Sequence, residues 1–153
     1  MAKRYWLMKS EPSVYSIENL RSDGTTCWDS IRNYQARNNM RAMSVGDEVL
    51  FYHSQAIPPG VAGIARVVRE AYPDHTQFDR EHEYFDPGSD EDDPRWWMVD
   101  VEFVRAFDEV LPLNEVKEDS ALADMVLVRN SRLSVQPVKA EEFHRILHLG
   151  GQP

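Results

Sequence analysis

Glu48-Val49-Leu50-Phe51-Tyr52-His53 opens the stretch that decides the fold, and the turn Pro58-Pro59-Gly60 and the apolar run of residues 61–68 complete it. Aromatic and β-branched residues bounded by turn residues are typical of strands. Gly46-Asp47 marks the turn before the first strand, and Gly60 and Gly63 permit another backbone to approach closely. The stretch therefore predicts two strands, the second of them nearly continuous in apolar residues.

Further strands are predicted on both sides of this stretch. Tyr5–Met8 predicts an opening strand that stops near Lys9-Ser10-Glu11-Pro12, because the residue before a proline avoids the helical region. Residues 97–103 alternate, with Val99, Val101 and Phe103 facing one way and the acids Asp100 and Glu102 the other. Residues 133–136 predict a late strand that ends at Pro137.

Short helices are expected between and after the strands. Ser16 can cap a helix through Arg21, with Asn19 three residues on, and the segment 28–41 is a loop that enters a helix with the apolar stripe Ala36, Met40 and Met43. Residues 113–117 and 139–149 predict two more helices, the last closed by Gly150-Gly151. Without regular βα alternation, the pattern predicts an α+β fold: a small, partly closed β-barrel of about five to six strands with peripheral short helices.

Length and composition limit the class of protein. A chain of 153 residues with 42% hydrophobic residues is expected to form a single domain, 1–153, around one core. No apolar run approaches membrane-spanning length and no signal-like segment follows Met1, so we expect no membrane partner and a cytoplasmic location, or a nuclear one in a eukaryote. The single Cys27 excludes an intramolecular disulfide and a multi-cysteine zinc site. A monomer is favoured.

The charge is strongly acidic but unevenly distributed. The formal net charge is -9, which argues against broad, phosphate-driven binding of nucleic acid. Residues 1–60 carry seven Lys and Arg against six Asp and Glu, whereas the remaining residues carry ten against twenty. Residues 81–93 hold seven acids and no Lys or Arg, which is typical of a solvated loop. Any nucleic acid would therefore be held by a local pocket.

The segment Trp28–Arg41 has the composition of such a pocket. It gathers a Trp, a Tyr, three Arg and four carboxamides, with Asp29 as its only acid. Aromatic rings can stack on a flat polar ligand such as a nucleobase, and neighbouring donors and acceptors can hydrogen-bond to the edge of that base. Asn33, Tyr34, Arg37 and Arg41 fall on one face of the expected helix. The alternative is a surface helix with an ordinary polar face.

Catalytic and metal chemistry have little support in the sequence. There is no Gly-x-Ser-x-Gly elbow, no phosphate-binding glycine loop and no cysteine pair of a nucleobase deaminase. The spacing of His75, His82, Glu83 and Asp86 fits no metal motif, and Cys27 is interpreted as a packing residue. We therefore expect no catalytic residue, no metal and no cofactor.

Polar side chains at strand ends are better candidates. Lys9-Ser10 and His53-Ser54 follow two predicted strands, where pockets often open, although His53 is also explained as a histidine at the edge of the core. Trp96-Trp97 places one ring in the core and the other on a pocket or groove. Arg129 is a second cationic feature, or a surface cation that pairs with one of the many carboxylates.

Long strings of the sequence resemble the EVE domain, in particular the thymocyte nuclear protein family and its bacterial relatives. The resemblance runs from about Tyr5 to Leu147. It is carried by the strings at residues 5–12, 27–38, 51–54, 71–78, 97–104 and 133–137.

The resemblance implies a PUA-like fold, related to YTH domains, with a pocket for a modified nucleobase. Its implied partner is a nucleic acid containing a modified base, which in the animal relatives is DNA with a modified cytosine. The base-binding pocket carried over by motif consists of Lys9, Ser10, Trp28, Arg32, Asn33, His53, Ser54 and Trp97. Arg37, Arg129, Ser134 and Gln136 are assigned to the pocket rim or to phosphate contact. Ser30 stands where the animal relatives are expected to have glycine, and their long basic N-terminal extension is absent.

Three functions follow as hypotheses. The first is non-catalytic recognition of a modified cytosine or adenine in DNA or RNA through an aromatic pocket. The second is a small enzyme acting on a nucleotide or polar substrate with His53 as general acid or base, which requires a titratable partner close to His53. The third is a protein-interaction domain, which would expose a flat apolar patch without a polar cavity.

Overall fold

The computed structural model describes residues 3–130 and 132–152. The strands are β1 Tyr5–Ser10, β2 Thr25–Cys27, β3 Glu48–His53, β4 Gly60–Pro73, β5 Trp97–Pro112 and β6 Val135–Val138. The α-helices are α1 Ile17–Asp23, α2 Tyr34–Arg41, α3 Leu113–Glu118, α4 Val126–Arg129 and α5 Ala140–Leu149. Two short 3-10 helices, His75–Phe78 and Ser120–Leu122, complete the elements.

The strands form one six-stranded sheet in the order β2-β5-β4-β3-β1-β6. The sheet is mixed, because β1 runs parallel to β3 while the other neighbouring pairs are antiparallel. The α+β class and the number of strands are confirmed. The partly closed barrel is wrong: within the described residues β2 and β6 lie at opposite edges and no pairing joins them, so the sheet is open. Alternation along a strand predicts which side chains are buried, but closure depends on the stagger between strands, which no single strand encodes.

Both faces of the sheet are covered, which explains the nearly continuous apolar strands. Trp6, Met8 and Phe51 face one core cluster, and their chain neighbours Leu7 and Leu50 face the other. The first cluster is completed by helices α1 and α2 and includes the predicted stripe Ala36, Met40 and Met43. The second is completed by residues of α3, α4 and α5, such as Val116, Leu127 and Phe143.

Strands β4 and β5 are much longer than predicted and pack closely. Their register shifts at several bulges, which bend the sheet without closing it. A Cβ on Gly60 would overlap the carbonyl oxygen of Leu111, and a Cβ on Gly63 would overlap the carbonyl oxygen of Arg105. The predicted close backbone approach at these two glycines is confirmed.

The helix boundaries follow local capping chemistry. Ser16 caps α1, and the side chain of Asn19 accepts a hydrogen bond in return from the backbone N–H of Ser16 at 2.8 Å. The expected strand end at Pro137 is wrong, since Pro137 lies inside β6 opposite Trp6. β6 is an edge strand and pairs only with β1, so a proline without an N–H is tolerated there. No helix in the described part of the chain has the length and apolar character to cross a membrane.

Candidate functional site

A cavity of about 620 Å³ opens beside the C-terminal ends of β1 and β2. The loop that follows β2 forms one wall, and residues 82–84 of the acidic run form another. The lining residues are Lys9, Ser10, Glu11, Val14, Tyr15, Thr26, Cys27, Trp28, Asp29, Ser30, Ile31, His82, Glu83 and Tyr84. Of the pocket residues predicted from the sequence, Lys9, Ser10 and Trp28 line this cavity together.

Trp28 is held rigidly at the base of the cavity. Its backbone N–H donates to the carbonyl oxygen of Val99 at 2.7 Å, which extends the pairing of β2 with β5. Its ring meets the ring of Phe51 edge to face, with 5.4 Å between the ring centres. Most of the side chain is buried, so the part that lines the cavity is an immobile aromatic wall.

The turn after Trp28 has an unusual backbone conformation. Ser30 has φ 67, in the left-handed region that favours glycine. Its N–H donates to Oδ2 of Asp74 at 2.7 Å, and its Oγ donates to Oδ1 of Asp29 at 2.9 Å. The glycine expected here in the animal relatives fits this conformation without steric cost. In this chain, the two hydrogen bonds hold a serine in the same conformation.

Arg32 does not line the cavity; it holds the cavity wall in place. Its Nη1 lies 3.2 Å from Oδ2 of the fully buried Asp74, and its Nη2 donates to Oγ1 of Thr76 at 2.8 Å. Nε and Nη2 donate to the carbonyl oxygen of Tyr84 at 3.2 and 2.7 Å. Arg32 therefore ties Tyr84, whose side chain is 40% exposed, to the turn at Asp74.

Lys9 and Ser10 line the cavity from the end of β1. Burial lowers the pKa of the Lys9 ammonium, whose Nζ lies 5.3 Å from the centre of the Tyr52 ring. Ser10 Oγ donates to the carbonyl oxygen of Tyr15 at 2.6 Å. A hydroxyl that donates its proton keeps two lone pairs, so Ser10 can accept a hydrogen bond from a ligand in the cavity.

His53 and Ser54 lie behind this wall and outside the cavity lining. The backbone N–H of Ile17, in the first turn of α1, donates to Nε2 of His53 at 3.1 Å, so Nε2 carries no proton. Burial lowers the pKa of His53, which favours the same neutral state. Among residues 3–130 and 132–152, His53 hydrogen-bonds no titratable side chain. The acid–base partner that the enzyme hypothesis requires is thus not found in the described structure. The N–H of Ser54 donates to the carbonyl oxygen of Ser10 at 3.0 Å.

Asn33, Trp97 and Arg37 lie on a different surface. Asn33 is exposed and caps α2, where its Oδ1 accepts from the N–H of Ala36 at 2.9 Å. The guanidinium of Arg41 lies 4.6 Å from the centre of the Trp97 ring. Arg37 donates to the carbonyl oxygen of Arg95 at 2.9 Å. Trp96 is the buried partner of the tryptophan pair, as the sequence predicts for one of the two rings.

The remaining rim candidates also lie outside the cavity lining. Arg129 is exposed and pairs with Asp124 at 3.2 Å, as the alternative interpretation of Arg129 predicts. Gln136 is fully buried, and its Nε2 donates to the carbonyl oxygen of Leu133 at 2.7 Å. Ser134 lies nearest to the cavity, because its carbonyl oxygen accepts from the N–H of Lys9 at 2.9 Å.

Sequence reasoning assigned none of the other lining residues to the pocket, among them Tyr15, Asp29 and Tyr84. Tyr84 lies in the acidic run, which we interpreted as a solvated loop. The structure instead anchors that run: Asp86 accepts from Nε1 of Trp96 at 2.7 Å and pairs with Arg95 at 3.2 Å. The hydrogen bond from Trp96 is the main cause that lowers the pKa of Asp86. An aromatic residue within an otherwise acidic run was the signal that could have identified Tyr84.

Comparison with known proteins places the chain in a family. Residues 4–149 match the family model of the EVE domain. Human thymocyte nuclear protein 1 is 48% identical over 95% of this chain and 73% of its own length. A crystal structure of human THYN1 protein in complex with 5-methylcytosine containing DNA superposes with a TM-score of 0.92 at 46% identity, covering 99% of each chain. A hypothetical protein from Leishmania major superposes with a TM-score of 0.95 at 53% identity, covering 98% of this chain and 96% of that one. The matched residues extend through all six strands and the wall of the cavity, and the chain therefore belongs to the EVE domain family.

Proposed function

We propose that the chain binds nucleic acid that carries a modified nucleobase, and that the base occupies the cavity beside Trp28. The observation that carries the proposal is the cavity itself. At about 620 Å³ it lies within the roughly 300–1,000 Å³ of small-molecule sites, and it combines the aromatic residues Tyr15, Trp28 and Tyr84 with polar groups. The complex of the human relative with 5-methylcytosine containing DNA supports the same ligand class.

The rings would supply most of the affinity. Trp28 is fixed by the core, and Arg32 holds the backbone carbonyl of Tyr84, so the backbone that carries both rings is already ordered when a base enters. Stacking of a base on such a ring contributes roughly 1–3 kcal/mol. Val14 and Ile31 provide apolar surface on which an added methyl group would be buried, at about 0.8 kcal/mol per carbon.

The polar lining favours a base that carries an exocyclic amino group. Asp29, Glu11 and Glu83 place carboxylates at the cavity, and Ser10 and Thr26 place hydroxyls there. A carboxylate accepts a hydrogen bond from N4 of cytosine, whereas thymine and uracil present a carbonyl oxygen at that position. A thymine would place a second acceptor against the carboxylate instead of a donor, so the hydrogen bond would be lost. A modified cytosine is therefore the ligand that we favour, with Asp29 as the acceptor.

Charge determines how the nucleic acid would be held. Among the described residues that line the cavity, Lys9 is the one Lys or Arg, and the whole chain is acidic. A long phosphate track is thus not part of the proposal. The chain would take up one exposed or flipped base, with flipping from a duplex costing a few kcal/mol. Arg32 would act as a positioning residue through Tyr84, and Asn33, His53, Ser54 and Trp97 would support the scaffold.

Binding of short oligonucleotides tests this proposal. Fluorescence anisotropy would compare DNA and RNA strands that differ only in one 5-methylcytosine, cytosine or thymine. We expect the 5-methylcytosine strand to bind most tightly, and Tyr84→Ala and Trp28→Ala to weaken that binding roughly 5- to 150-fold, as expected for the loss of stacking. Asp29→Asn should reduce the preference for cytosine over thymine.

Trp97→Phe is the matched control, because Trp97 is a tryptophan outside the cavity. Tyr84 belongs to a partly exposed loop, so its variant remains informative if Trp28→Ala destabilises the core, which a thermal melt would show. Unchanged affinities in both ring variants, with both proteins folded, would contradict the assignment of the pocket.

A further inference from the structure

Three side chains with metal-binding atoms meet beside the cavity, although they come from distant parts of the chain. Cys27 ends β2, Asp29 follows it in the turn, and His75 begins the 3-10 helix after β4. The Sγ, a carboxylate oxygen and an imidazole nitrogen lie within 4.8 Å of one another. Sγ of Cys27 lies 3.6 Å from Oδ2 of Asp29, and Nε2 of His75 lies 3.9 Å from the same oxygen.

The backbone that carries these residues is held by other contacts. Asp74 accepts from the N–H of Ser30 at 2.7 Å and pairs with Arg32 at 3.2 Å, so the turn after β2 is fastened to the residue before His75. The second carboxylate oxygen of Asp29 accepts from Ser30 Oγ at 2.9 Å, which orients Oδ2 toward Cys27 and His75. The arrangement of the three residues therefore does not depend on the weak contacts among their own side chains.

The sulfur–oxygen distance fits a tetrahedral ion, and a movement of His75 would complete the geometry. With Zn–S of about 2.3 Å and Zn–N and Zn–O of about 2.0–2.2 Å, tetrahedral angles separate sulfur from oxygen by about 3.6 Å and nitrogen from oxygen by about 3.4 Å. The sulfur–oxygen distance of 3.6 Å already matches, and the nitrogen–oxygen distance of 3.9 Å needs a small movement of His75. That side chain is 62% exposed, so it can move.

The ligand types select the class of ion. A thiolate prefers soft and borderline ions and disfavours Mg²⁺ and Ca²⁺, which take oxygen ligands. One sulfur, one nitrogen and one oxygen leave the fourth tetrahedral position to water. Without a cation, burial and the charge of Asp29 raise the pKa of the Cys27 thiol to about 11. The thiol would release its proton to solvent as the sulfur coordinates the ion.

We propose that Cys27, Asp29 and His75 bind a thiophilic divalent cation of the Zn²⁺ class, with water as the fourth ligand. Of the four possible metal ligands that the sequence analysis rejected for their spacing, His75 belongs to this site, whereas His82, Glu83 and Asp86 do not. Cys27 and Asp29 also line the cavity, so the ion lies in the cavity wall. Binding of the ion requires no nucleic acid, and it is therefore tested separately from recognition of a base.

Titration of the tag-free, chelator-treated full chain with Co²⁺ tests the proposal, because a tetrahedral cobalt–thiolate site absorbs strongly. We expect one equivalent of Co²⁺ to produce a sulfur-to-cobalt charge-transfer band and tetrahedral visible bands, and Zn²⁺ to displace the Co²⁺. Cys27→Ser should abolish the charge-transfer band, and His75→Ala should weaken the binding of Zn²⁺ at least about tenfold, as loss of a ligand does.

His148→Ala is the matched control, since His148 is an exposed histidine at the end of α5. It should leave the spectrum and the stoichiometry unchanged. No saturable band at one equivalent, or a band that persists in Cys27→Ser, would overturn the proposal. His75→Ala changes an exposed side chain, so it decides the outcome even if Cys27→Ser fails to fold.

Discussion

Asp74 is fully buried, and its hydrogen bonds shape the loop beside Trp28. It accepts from the backbone N–H groups of Ser30 and Thr76, both at 2.7 Å, and pairs with Arg32. Burial alone would raise the pKa of Asp74, but the hydrogen bonds from Thr76 and Ser30 and the charge of Arg32 outweigh it and hold that pKa below its ordinary value. One carboxylate thus holds Ser30 in its left-handed conformation and orients the arginine that anchors Tyr84.

The lowered pKa of the partly buried His53 predicts that the stability of the folded chain depends on pH. Burial lowers its pKa below 6.5 in the folded chain, so the unfolded chain binds more protons as the pH falls through 6.5. The free energy of unfolding should therefore fall below that pH, and the fall should be smaller in His53→Gln, whose side chain can accept from Ile17 without titrating. Urea denaturation of both proteins at pH 7.5 and pH 5 measures the difference. Equal losses in both would contradict the neutral, structural role.

Helix α2 shows how one segment serves two surfaces. Its buried residues Ala36 and Met40 pack into the core, whereas Tyr34 is exposed and stacks on Trp96 with 5.0 Å between ring centres. The guanidinium of Arg37 also lies over the Tyr34 ring, 4.8 Å from the ring centre. The helix begins only after the cavity wall ends, because Asn33 is its N-cap. The ring-and-amide composition of residues 28–41 is therefore divided between a cavity wall and a surface stack.

Substitution of Asn33, the N-cap of α2, can distinguish effects on the helix from effects on the cavity. Asn33→Ala should lower the free energy of unfolding by about 0.5–2 kcal/mol, because the N–H of Ala36 loses its acceptor. The affinity for a 5-methylcytosine strand should remain within about twofold, since Asn33 does not line the cavity. Asn33→Asp, which can still cap the helix, is the control and should restore stability. A large loss of affinity in a folded Asn33→Ala protein would contradict this prediction and show that Asn33 contributes to the base-binding pocket.

At the scale of the whole molecule, the central strands of the open sheet form a scaffold, and the cavity lies at the ends of other strands. β3 and the first part of β4 are buried on both faces, the end of β4 and β5 include exposed residues, and the cavity lies at the ends of β1 and β2. The cavity is rich in carboxylates, in keeping with a chain of net charge -9. In the proposed function, recognition would therefore come from stacking and from the edge of the base, and electrostatic attraction to phosphates would contribute little.

This charge distribution predicts a weak dependence of binding on salt. Each neutralised phosphate of a single strand contributes about -0.7 to the slope of log K against log salt concentration. With Lys9 as the one Lys or Arg of the cavity lining, we expect a slope of about -1 to -2. Lys9→Met should make the slope shallower, whereas Arg105→Gln, an exposed residue of β5, should not change it. A wild-type slope steeper than about -4 would reveal a phosphate track elsewhere on the surface.

The sequence alone predicted most of the strands and helices and indicated the family, because both depend on local patterns. Apolar alternation located the strands, Ser16 and Asn19 located a helix start, and strings such as residues 27–38 indicated the family. Only the tertiary structure decided which residues share the cavity. Arg32 and Asn33 follow Trp28 closely in the chain, yet a buried carboxylate and a helix cap turn their side chains to other partners. Tyr84 and His75 approach Trp28 and Cys27 through contacts between distant segments, and no pattern within one segment encodes such contacts.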